Sequence, residues 1–436
     1  MSKPTTKWNR AAGGLQCSAV SDVGMRRASN QDAMAVLLAT DDRSWRSRGH
    51  LFVVADGMGA HAAGELASQI ATENIPHVYQ KRVDIPPCES IVAAVHDANA
   101  RIYAKGQHGV DFHGMGTTCS CLLLLPDGAI AAHVGDSRVY RLRGQTIEQL
   151  TFDHSLVWEM AAAGQATEED VPAYVPKNVI TRSLGPHPTV KVDLEGPLPI
   201  QPGDTYLLCS DGLTGPLNVQ LIGMVLAALP PEEAAQTLVD LTNLLGGPDN
   251  VSVIVARVGS AEQAAGSGSS AATPDATSPA DRAIIAAAIG AFAFAATLAT
   301  RGHYAGAVAG GVVGLAAAAA WAMRRVGRNR DQFLAAAAGP HGKAPYRTYA
   351  VAPSAQNIEM LSDIVRQLED LEDQRDWPFD WKDIHADRHA AHKAIAAGRH
   401  ADAVVAYSSA VRRLMEAVRD ARPEPPSDSG IQLGKG

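Results

Sequence analysis

Three apolar runs of this chain end in an aspartate, and this pattern constrains the fold more than any other feature of the sequence. The runs lead into Asp56, Asp136 and Asp211, while a fourth aspartate, Asp249, stands just before the apolar run Val251 to Val258. Short apolar runs bounded by turn residues predict buried strands. The four carboxylates could therefore converge on one patch at the rim of a sheet.

A cluster of carboxylates repels itself unless cations neutralise it. Hard oxygen ligands of this kind suit Mg²⁺ or Mn²⁺ better than zinc. The competing interpretation is that Asp-Gly after an apolar strand is simply a hairpin turn. That interpretation is the better one at Asp127-Gly128, which lies between two predicted strands and has no distinctive neighbours.

Strands and helices are predicted in groups rather than in strict alternation. The predicted strands are Leu51 to Ala55, Thr118 to Leu125, Ile130 to Val134, Thr205 to Cys209 and Val251 to Val258. The predicted helices are Gly64 to Tyr79, Ser90 to Lys105 and Pro231 to Leu245. This order favours α+β layers over a doubly wound parallel sheet.

Charge and cysteine content exclude several classes of protein. The formal net charge is −8 and no basic stripe with interleaved aromatic residues occurs in the first half, so a nucleic-acid partner is not expected. A metal-dependent nuclease is disfavoured for the same reason. The five cysteines form no CxxC pair, which argues against a disulfide framework or a zinc site and fits a reducing cytosol.

The first 282 residues divide by composition into three parts. Residues 1–14 are a polar leader that is expected to be disordered, and residues 15–258 hold the predicted α+β domain. Residues 259–282 are rich in Ala, Gly, Ser and Pro and cannot bury enough apolar surface to fold, so they are predicted to be a linker.

Two apolar stretches, 283–300 and 305–323, are each close to the length that crosses a bilayer, and they predict a two-helix transmembrane hairpin over 283–323. A buried, alanine-rich helical hairpin is the alternative. The cluster Arg324, Arg325, Arg328 and Arg330 should hold the following end in the cytosol. The prediction is an inner-membrane protein whose domain at 15–258 and C-terminal region both face the cytoplasm.

The chain after the hairpin predicts a small all-α region over 331–422, followed by a disordered tail over 423–436. Its first helix carries an apolar face from Ile358 to Leu371, and its last runs from His400 to Arg419. These helices could bind another protein. His385, His389 and His392 share one face of the middle helix, but a solvated charged face is a better interpretation than a metal site.

Longer patterns surround the aspartates and follow one another in order from Ser21 to Arg257. They include Arg27-Ala-Ser-Asn30-Gln-Asp32, Asp56-Gly-Met-Gly59-Ala-His61, Met115-Gly-Thr-Thr118, Val134-Gly-Asp136-Ser-Arg138, Phe152-Asp153-His154-Ser, Thr181-Arg182-Ser-Leu-Gly185, Cys209-Ser-Asp211-Gly and Pro248-Asp-Asn250. In this order they resemble the type 2C, or PPM, family of metal-dependent protein serine/threonine phosphatases. The resemblance implies a four-layer α-β-β-α sandwich with metals in a cleft at one end.

The resemblance also implies roles for individual residues. Asp56 would bridge two metals, the carbonyl of Gly57 would bind the first, and Asp211 and Asp249 would hold the second. Asp136 matches a ligand of a more weakly held third metal. The remaining matches are Asp32, which would orient metal-bound water, Arg27, which would grip the substrate phosphate, and His61, the expected general acid.

This sequence departs from the family pattern at a few positions. Gln31 stands where many members have glutamate, and Ala60 replaces a frequent glycine. Gly215 occupies a place where some relatives have aspartate, so a third metal would rest on Asp136 and Asp211. The segment Val157 to Lys177 matches the flap of bacterial members.

The predicted function is hydrolysis of phosphoserine and phosphothreonine in proteins by metal-activated water. The expected cofactors are two Mn²⁺ or Mg²⁺ ions with a weaker third, and the expected partners are phosphorylated proteins and a serine/threonine kinase of the same pathway. The alternative is a membrane-held scaffold whose inactive phosphatase-like domain only binds phosphoproteins. Loss of Asp56, Asp211 or Asp249 would favour the scaffold, and all three are present.

Overall fold

The computed structural model describes residues 6–8, 14–59, 62–164, 179–259, 341–351, 355–372 and 381–420, with single positions at 297, 300 and 312. The strands are β1 Thr6–Trp8, β2 Gln16–Asp22, β3 Asp32–Leu37, β4 His50–Met58, β5 Gly116–Thr117, β6 Cys119–Leu125, β7 Gly128–Val134, β8 Arg138–Arg143, β9 Thr146–Gln149, β10 Asp193–Leu198, β11 Thr205–Cys209, β12 Val251–Arg257 and β13 Arg347–Ala350. The helices are α1 Asp42–Arg48, α2 Ala63–Lys81, α3 Pro87–Gly106, α4 Leu156–Ala162, α5 Asp211–Thr214, α6 Val219–Ala228, α7 Pro231–Leu244, α8 Ala355–Glu372, α9 Lys382–Ala396 and α10 His400–Asp420.

Two antiparallel sheets form the centre of the catalytic domain. The first has the strand order β1-β2-β12-β11-β8-β9-β13, and the second has the order β10-β7-β6-β4-β3 with β5 paired to β4. Side chains alternate between the faces of each strand, so Ile254 points between the two sheets while Val253 and Val255 point toward the helices. The predicted strands and the α-β-β-α layer order are confirmed.

Helices cover the outer faces of both sheets. The second sheet packs against α2, and the first packs against α6 and α7. The N-cap side chain of Asn218 accepts a hydrogen bond from the backbone N–H of Leu221 at 2.8 Å and so begins α6 after a turn. The turn at Asp127-Gly128 joins β6 to β7, so the hairpin interpretation is confirmed there.

The C-terminal helices share a hydrophobic core with the catalytic domain. Ile358 and Leu361 of α8 and Tyr407 of α10 are buried in the same apolar cluster as Leu221 and Leu238 of α6 and α7. The predicted apolar face of α8 is confirmed from Ile358 to Val365. The separation of 331–422 from 15–258 as two domains stays a prediction, but their described parts pack together.

The predicted membrane-spanning stretches, 283–300 and 305–323, lie outside the described residues except for Thr297, Thr300 and Val312. Throughout the described part, no helix combines the length and the apolar character needed to cross a membrane. The predictions of a transmembrane hairpin and of an inner-membrane location are therefore wrong. Alanine dominates both stretches, and its small side chain favours insertion far less than leucine, isoleucine or phenylalanine, so apolar length alone was misleading.

Candidate active site

The strand ends bring the predicted aspartates to one rim of the sandwich. Asp56 lies in β4 directly opposite Asp32 of β3, and Asp211 begins α5 at the end of β11. Asp249 lies just before β12, which pairs with both β11 and β2. The antiparallel pairing of neighbouring strands therefore places residues that are distant in sequence at the same edge.

The backbone of Asp56 is fixed by the run Met115-Gly-Thr-Thr118. The N–H of Asp56 donates to Thr118 Oγ1 at 2.9 Å, and the carbonyl of Asp56 accepts from the N–H of Thr118 at 2.8 Å and from Thr117 Oγ1 at 2.9 Å. Hydrogen bonds on both sides of the residue leave its backbone little freedom. This run is thus a positioning element for Asp56.

Gly57 lies where two pieces of backbone come close together. Its N–H donates to the carbonyl of Gln31 at 3.1 Å, and a Cβ at this position would stand 2.1 Å from the carbonyl oxygen of Gly64. Any side chain here would collide with the start of α2. The glycine therefore keeps the strand close to the helix and leaves its own carbonyl as a potential ligand.

Asn250 holds the loop that carries Arg27. Its Nδ2 donates to the carbonyls of Val23 and Ser29 at 2.9 Å each, and its Oδ1 accepts from the N–H of Gln31 at 2.8 Å. The residue is 4% exposed, so these bonds are protected from water. The sequence analysis included Asn250 in a motif but predicted no role for it. The Asp-Asn pair directly before a strand was the signal that could have indicated this role.

Arg27 lies at the rim beside Asp249. Its Nη2 is 2.7 Å from Asp249 Oδ2, and the two side chains are 48% and 34% exposed. A guanidinium that is half-exposed at the edge of an acidic cluster can reach a solvent-borne anion. His61, the predicted general acid, lies outside the described residues.

Burial and mutual repulsion raise the pKa values of the rim carboxylates. Burial, with smaller contributions from Asp211 and Asp249, raises the pKa of Asp32 to about 7, although hydrogen bonds from Ser210 and Ser252 oppose the shift. Burial, followed by the charges of Asp211 and Asp153, raises the pKa of Asp136 to about 8. The pKa values of Asp56 and Asp211 are also raised, first by burial and then by neighbouring aspartates.

The donor set fits hard divalent cations. Asp32 Oδ1 and Asp136 Oδ1 are buried and lack a hydrogen-bond partner in the structure, and Asp56 and Asp211 lie within hydrogen-bonding reach of each other. Over the described ranges, no three or more histidine, cysteine or carboxylate side chains already stand where they could hold a metal ion. Mg²⁺ and Mn²⁺ tolerate such an open arrangement because they take oxygen ligands, and Mg²⁺ usually keeps several waters.

Two groups of side chains outside the rim resemble reactive or metal-binding residues. Cys119 and Cys121 are buried side by side in β6, where the hydrogen bond between the two thiols, followed by burial, holds the pKa of Cys121 well above its ordinary value. Such thiols are unreactive. His385, His389 and His392 of α9 are exposed, and His392 meets the ring of Tyr407 at 6.3 Å.

Comparisons with known proteins identify the family of this chain. The model of the family "Protein phosphatase 2C" matches residues 25–246. Protein phosphatase PhpP of Streptococcus pneumoniae is 35% identical over 243 residues, which cover 55% of this chain and 96% of that protein.

Two solved structures of the serine/threonine phosphatase PstP are also similar. A crystal structure of the Mycobacterium tuberculosis enzyme is 34% identical and has a TM-score of 0.50, covering 56% of this chain and 99% of that chain. A structure of the PstP catalytic domain in complex with two manganese ions is also 34% identical, with a TM-score of 0.48 and coverage of 56% and 98%. The chain belongs to the protein phosphatase 2C family of protein serine/threonine phosphatases.

Proposed function

We propose that this protein phosphatase hydrolyses phosphoserine and phosphothreonine in proteins with two Mn²⁺ or Mg²⁺ ions bound at the rim of the sandwich. Asp56, the carbonyl of Gly57, Asp211 and Asp249 would hold these two ions, and Asp136 would hold a weaker third. The observation that carries the proposal is the convergence of these aspartates, among which the buried Oδ1 of Asp136 has no protein donor. Cations supply the missing partners.

Bound divalent cations would act as Lewis acids that lower the pKa of water and neutralise charge on the phosphate. Asp32 would orient the attacking water; in support, Ser210 Oγ donates to its Oδ2 at 2.7 Å while its Oδ1 has no protein partner. His61 as the acid for the leaving oxygen stays a prediction.

Arg27 would bind the phosphate of the substrate. Its contact with Asp249 places the guanidinium at the mouth of the metal cluster, and its planar donors match the oxygens of a phosphate. Because Asp249 would turn toward a cation when one is bound, Arg27 would then be available for the anion. A phosphorylated side chain could thus reach the metals from the exposed side of the rim.

The substrates would be products of a protein serine/threonine kinase in the same pathway, since a phosphatase that acts on such residues must be supplied by a kinase. That the C-terminal helices recruit another protein also stays a prediction. A phosphoprotein-binding scaffold is the alternative function, and it would need neither the aspartate cluster nor Asp32 beside it.

The test is hydrolysis of a phosphothreonine peptide by the full chain, with and without Mn²⁺. Asp211→Ala removes a proposed ligand, and Asp127→Ala is the matched control because it also removes an aspartate from an Asp-Gly pair after a strand, at an exposed turn. We expect manganese-dependent turnover that Asp211→Ala abolishes and Asp127→Ala preserves. Phosphopeptide binding without turnover by a folded, manganese-bound chain would support the scaffold instead.

A further inference from the structure

The segment 341–351 returns to the catalytic domain and lies along two of its strands. Its strand β13 pairs antiparallel with β9, with Arg347 opposite Gln149. His341 exchanges backbone hydrogen bonds with Gly196 of β10 at 2.7 and 3.0 Å, and the N–H of Val351 donates to the carbonyl of Gln145 at 2.8 Å. Backbone hydrogen bonds therefore hold the segment at both ends and in its middle.

Glu195 of β10 is a buried anchor for this segment. The side chain belongs to a residue that is 2% exposed, and its Oε2 accepts from the backbone N–H groups of Lys343 at 2.7 Å and Ala344 at 2.9 Å. Its Oε1 accepts from the hydroxyl of Tyr346 at 2.5 Å. A buried carboxylate with three donors fixes its partners strongly, so Tyr346 is held in one orientation.

Tyr346 and Arg347 contact an aromatic cluster formed by Phe152, His154 and Trp158. The ring of Tyr346 meets Phe152 edge-on at 5.4 Å between centroids, and the Arg347 guanidinium lies 4.1 Å above the ring of Trp158. Phe152 in turn contacts Trp158 at 5.1 Å and His154 at 6.2 Å. The segment thus packs against every member of the cluster, directly or through one ring.

The aromatic cluster leads to the loop 135–137 between β7 and β8, which carries Asp136. The N–H of Gly135 donates to His154 Nδ1 at 2.9 Å, and the N–H of His154 donates to the carbonyl of Gly135 at 2.7 Å. The other ring nitrogen, Nε2, lies 2.9 Å from Asp193 Oδ2 and 2.7 Å from Arg182 Nη1, so the imidazole is held from both sides. His154 therefore clamps the residue next to Asp136.

A second line of contacts reaches the other end of this loop. The guanidinium of Arg138 lies 5.9 Å from the ring of Trp158, on which Arg347 also stacks, and its Nε donates to Asp153 at 2.7 Å. Movement of Trp158 would disturb Arg138. The two lines of contact thus end on the two residues that flank Asp136 and Ser137.

We propose that Tyr346 and Arg347 are positioning residues for Asp136, through which the C-terminal segment sets the affinity of the most weakly bound cation. This inference rests on the proposed function of Asp136 as a metal ligand. Both residues lie beyond the family match at 25–246, so the device belongs to the C-terminal extension of this chain. Outer groups that orient a ligand commonly change metal affinity when they are altered.

The test uses the full chain, stripped of metal and titrated with Mn²⁺ by isothermal calorimetry, together with the manganese dependence of peptide hydrolysis. Arg347→Ala and Tyr346→Phe should weaken only the lowest-affinity binding event, on the order of tenfold. At saturating Mn²⁺, the kcat of both variants should return to that of the wild-type chain. Lys343→Ala is the matched control, because it removes a positive charge from an exposed position of the same segment and should leave the titration unchanged.

Three outcomes would overturn the proposal. A wild-type titration in a variant with a lowered melting temperature would show that the segment is merely structural. Equal weakening of every manganese site would indicate general loosening of the domain. Tyr346→Phe removes only one hydroxyl, so it tests the contact even if Arg347→Ala does not fold. Absence of manganese binding by the wild-type chain would overturn the metal site itself, and this result is distinct from a failure of the coupling.

Discussion

The rim of the sandwich and the strand β10 both bury carboxylates, but they do so in opposite ways. At the rim, burial and neighbouring aspartates raise the pKa of Asp56, and two buried carboxylate oxygens lack partners. In β10, burial alone would raise the pKa of Asp193, but His154 and Arg182 outweigh it and hold this pKa well below its ordinary value. Glu195 accepts three hydrogen bonds.

This comparison shows that a buried carboxylate can serve either metal binding or structural stability. A buried carboxylate without partners lowers the free energy of unfolding, and a bound cation removes this cost. The unpaired carboxylates of the rim therefore favour metal binding. A buried carboxylate with cationic or amide partners fixes the elements around it. The partners of each carboxylate, rather than its burial, distinguish the two regions.

The largest effect that would sharpen this comparison is expected from Asp56→Asn. Loss of the bridging charge should lower kcat/KM by on the order of 10³-fold, since metal catalysis supplies several kcal/mol of charge stabilisation. In EDTA, the same substitution should raise the free energy of unfolding by roughly 1 kcal/mol, because it removes repulsion between carboxylates. Peptide hydrolysis and urea unfolding measure the two effects. If Asp56→Asn lowered the free energy of unfolding in EDTA, repulsion between the carboxylates would not destabilise the metal-free rim.

The next effect is a pH dependence that is confined to the metal-free protein. The pKa values of Asp32 and Asp136 are raised to about 7 and about 8, so the folded state binds more protons than the unfolded state above about pH 4. Stability should therefore be present at low pH and be lost as pH rises through 7 and 8.

This prediction is tested above pH 6.5, where His133 does not interfere. Burial, followed by the charge of His154, lowers the pKa of His133 to about 3, so its own contribution to stability is lost only as pH falls below about 6.5. Between pH 6.5 and 8.5 we expect the melting temperature in EDTA to fall by several degrees and saturating Mn²⁺ to abolish the slope. A flat profile in EDTA would refute the prediction.

The sequence was sufficient to predict the rim because local patterns determine it. The strand runs that lead to Asp56, Asp136 and Asp211 are mostly apolar, and antiparallel pairing brings these aspartates together. Apolar length failed at 283–323 because alanine adds little to membrane insertion. The pairing of Arg347–Ala350 with β9 was also not predicted, since a four-residue strand with alternating exposure carries no apolar signal and its partner is distant in sequence.

A smaller effect is expected on the β10 side of the comparison. Glu195→Gln should lower the free energy of unfolding by about 2 kcal/mol, since an amide cannot accept all three hydrogen bonds and charged acceptors bind more strongly. Urea unfolding in EDTA measures this loss. The informative result is that Glu195→Gln lowers the free energy of unfolding whereas Asp56→Asn raises it. The control is Glu73→Gln, at an exposed position of α2, which should change stability by less than about 0.5 kcal/mol. Equal shifts in both glutamate variants would remove the distinction between the two regions.

The smallest effect is expected from His389→Ala in α9, where spacing alone imitates a metal site. The neighbouring histidines already have ring partners, since His385 stacks on Trp381 at 6.1 Å and His392 meets Tyr407 at 6.3 Å. His389 is exposed, so its loss should change the free energy of unfolding by less than about 0.5 kcal/mol and leave the manganese titration unchanged. Removal of a zinc- or manganese-binding event by this substitution would place a second metal site in the C-terminal helices. Metal binding would then not distinguish the rim from the rest of the molecule.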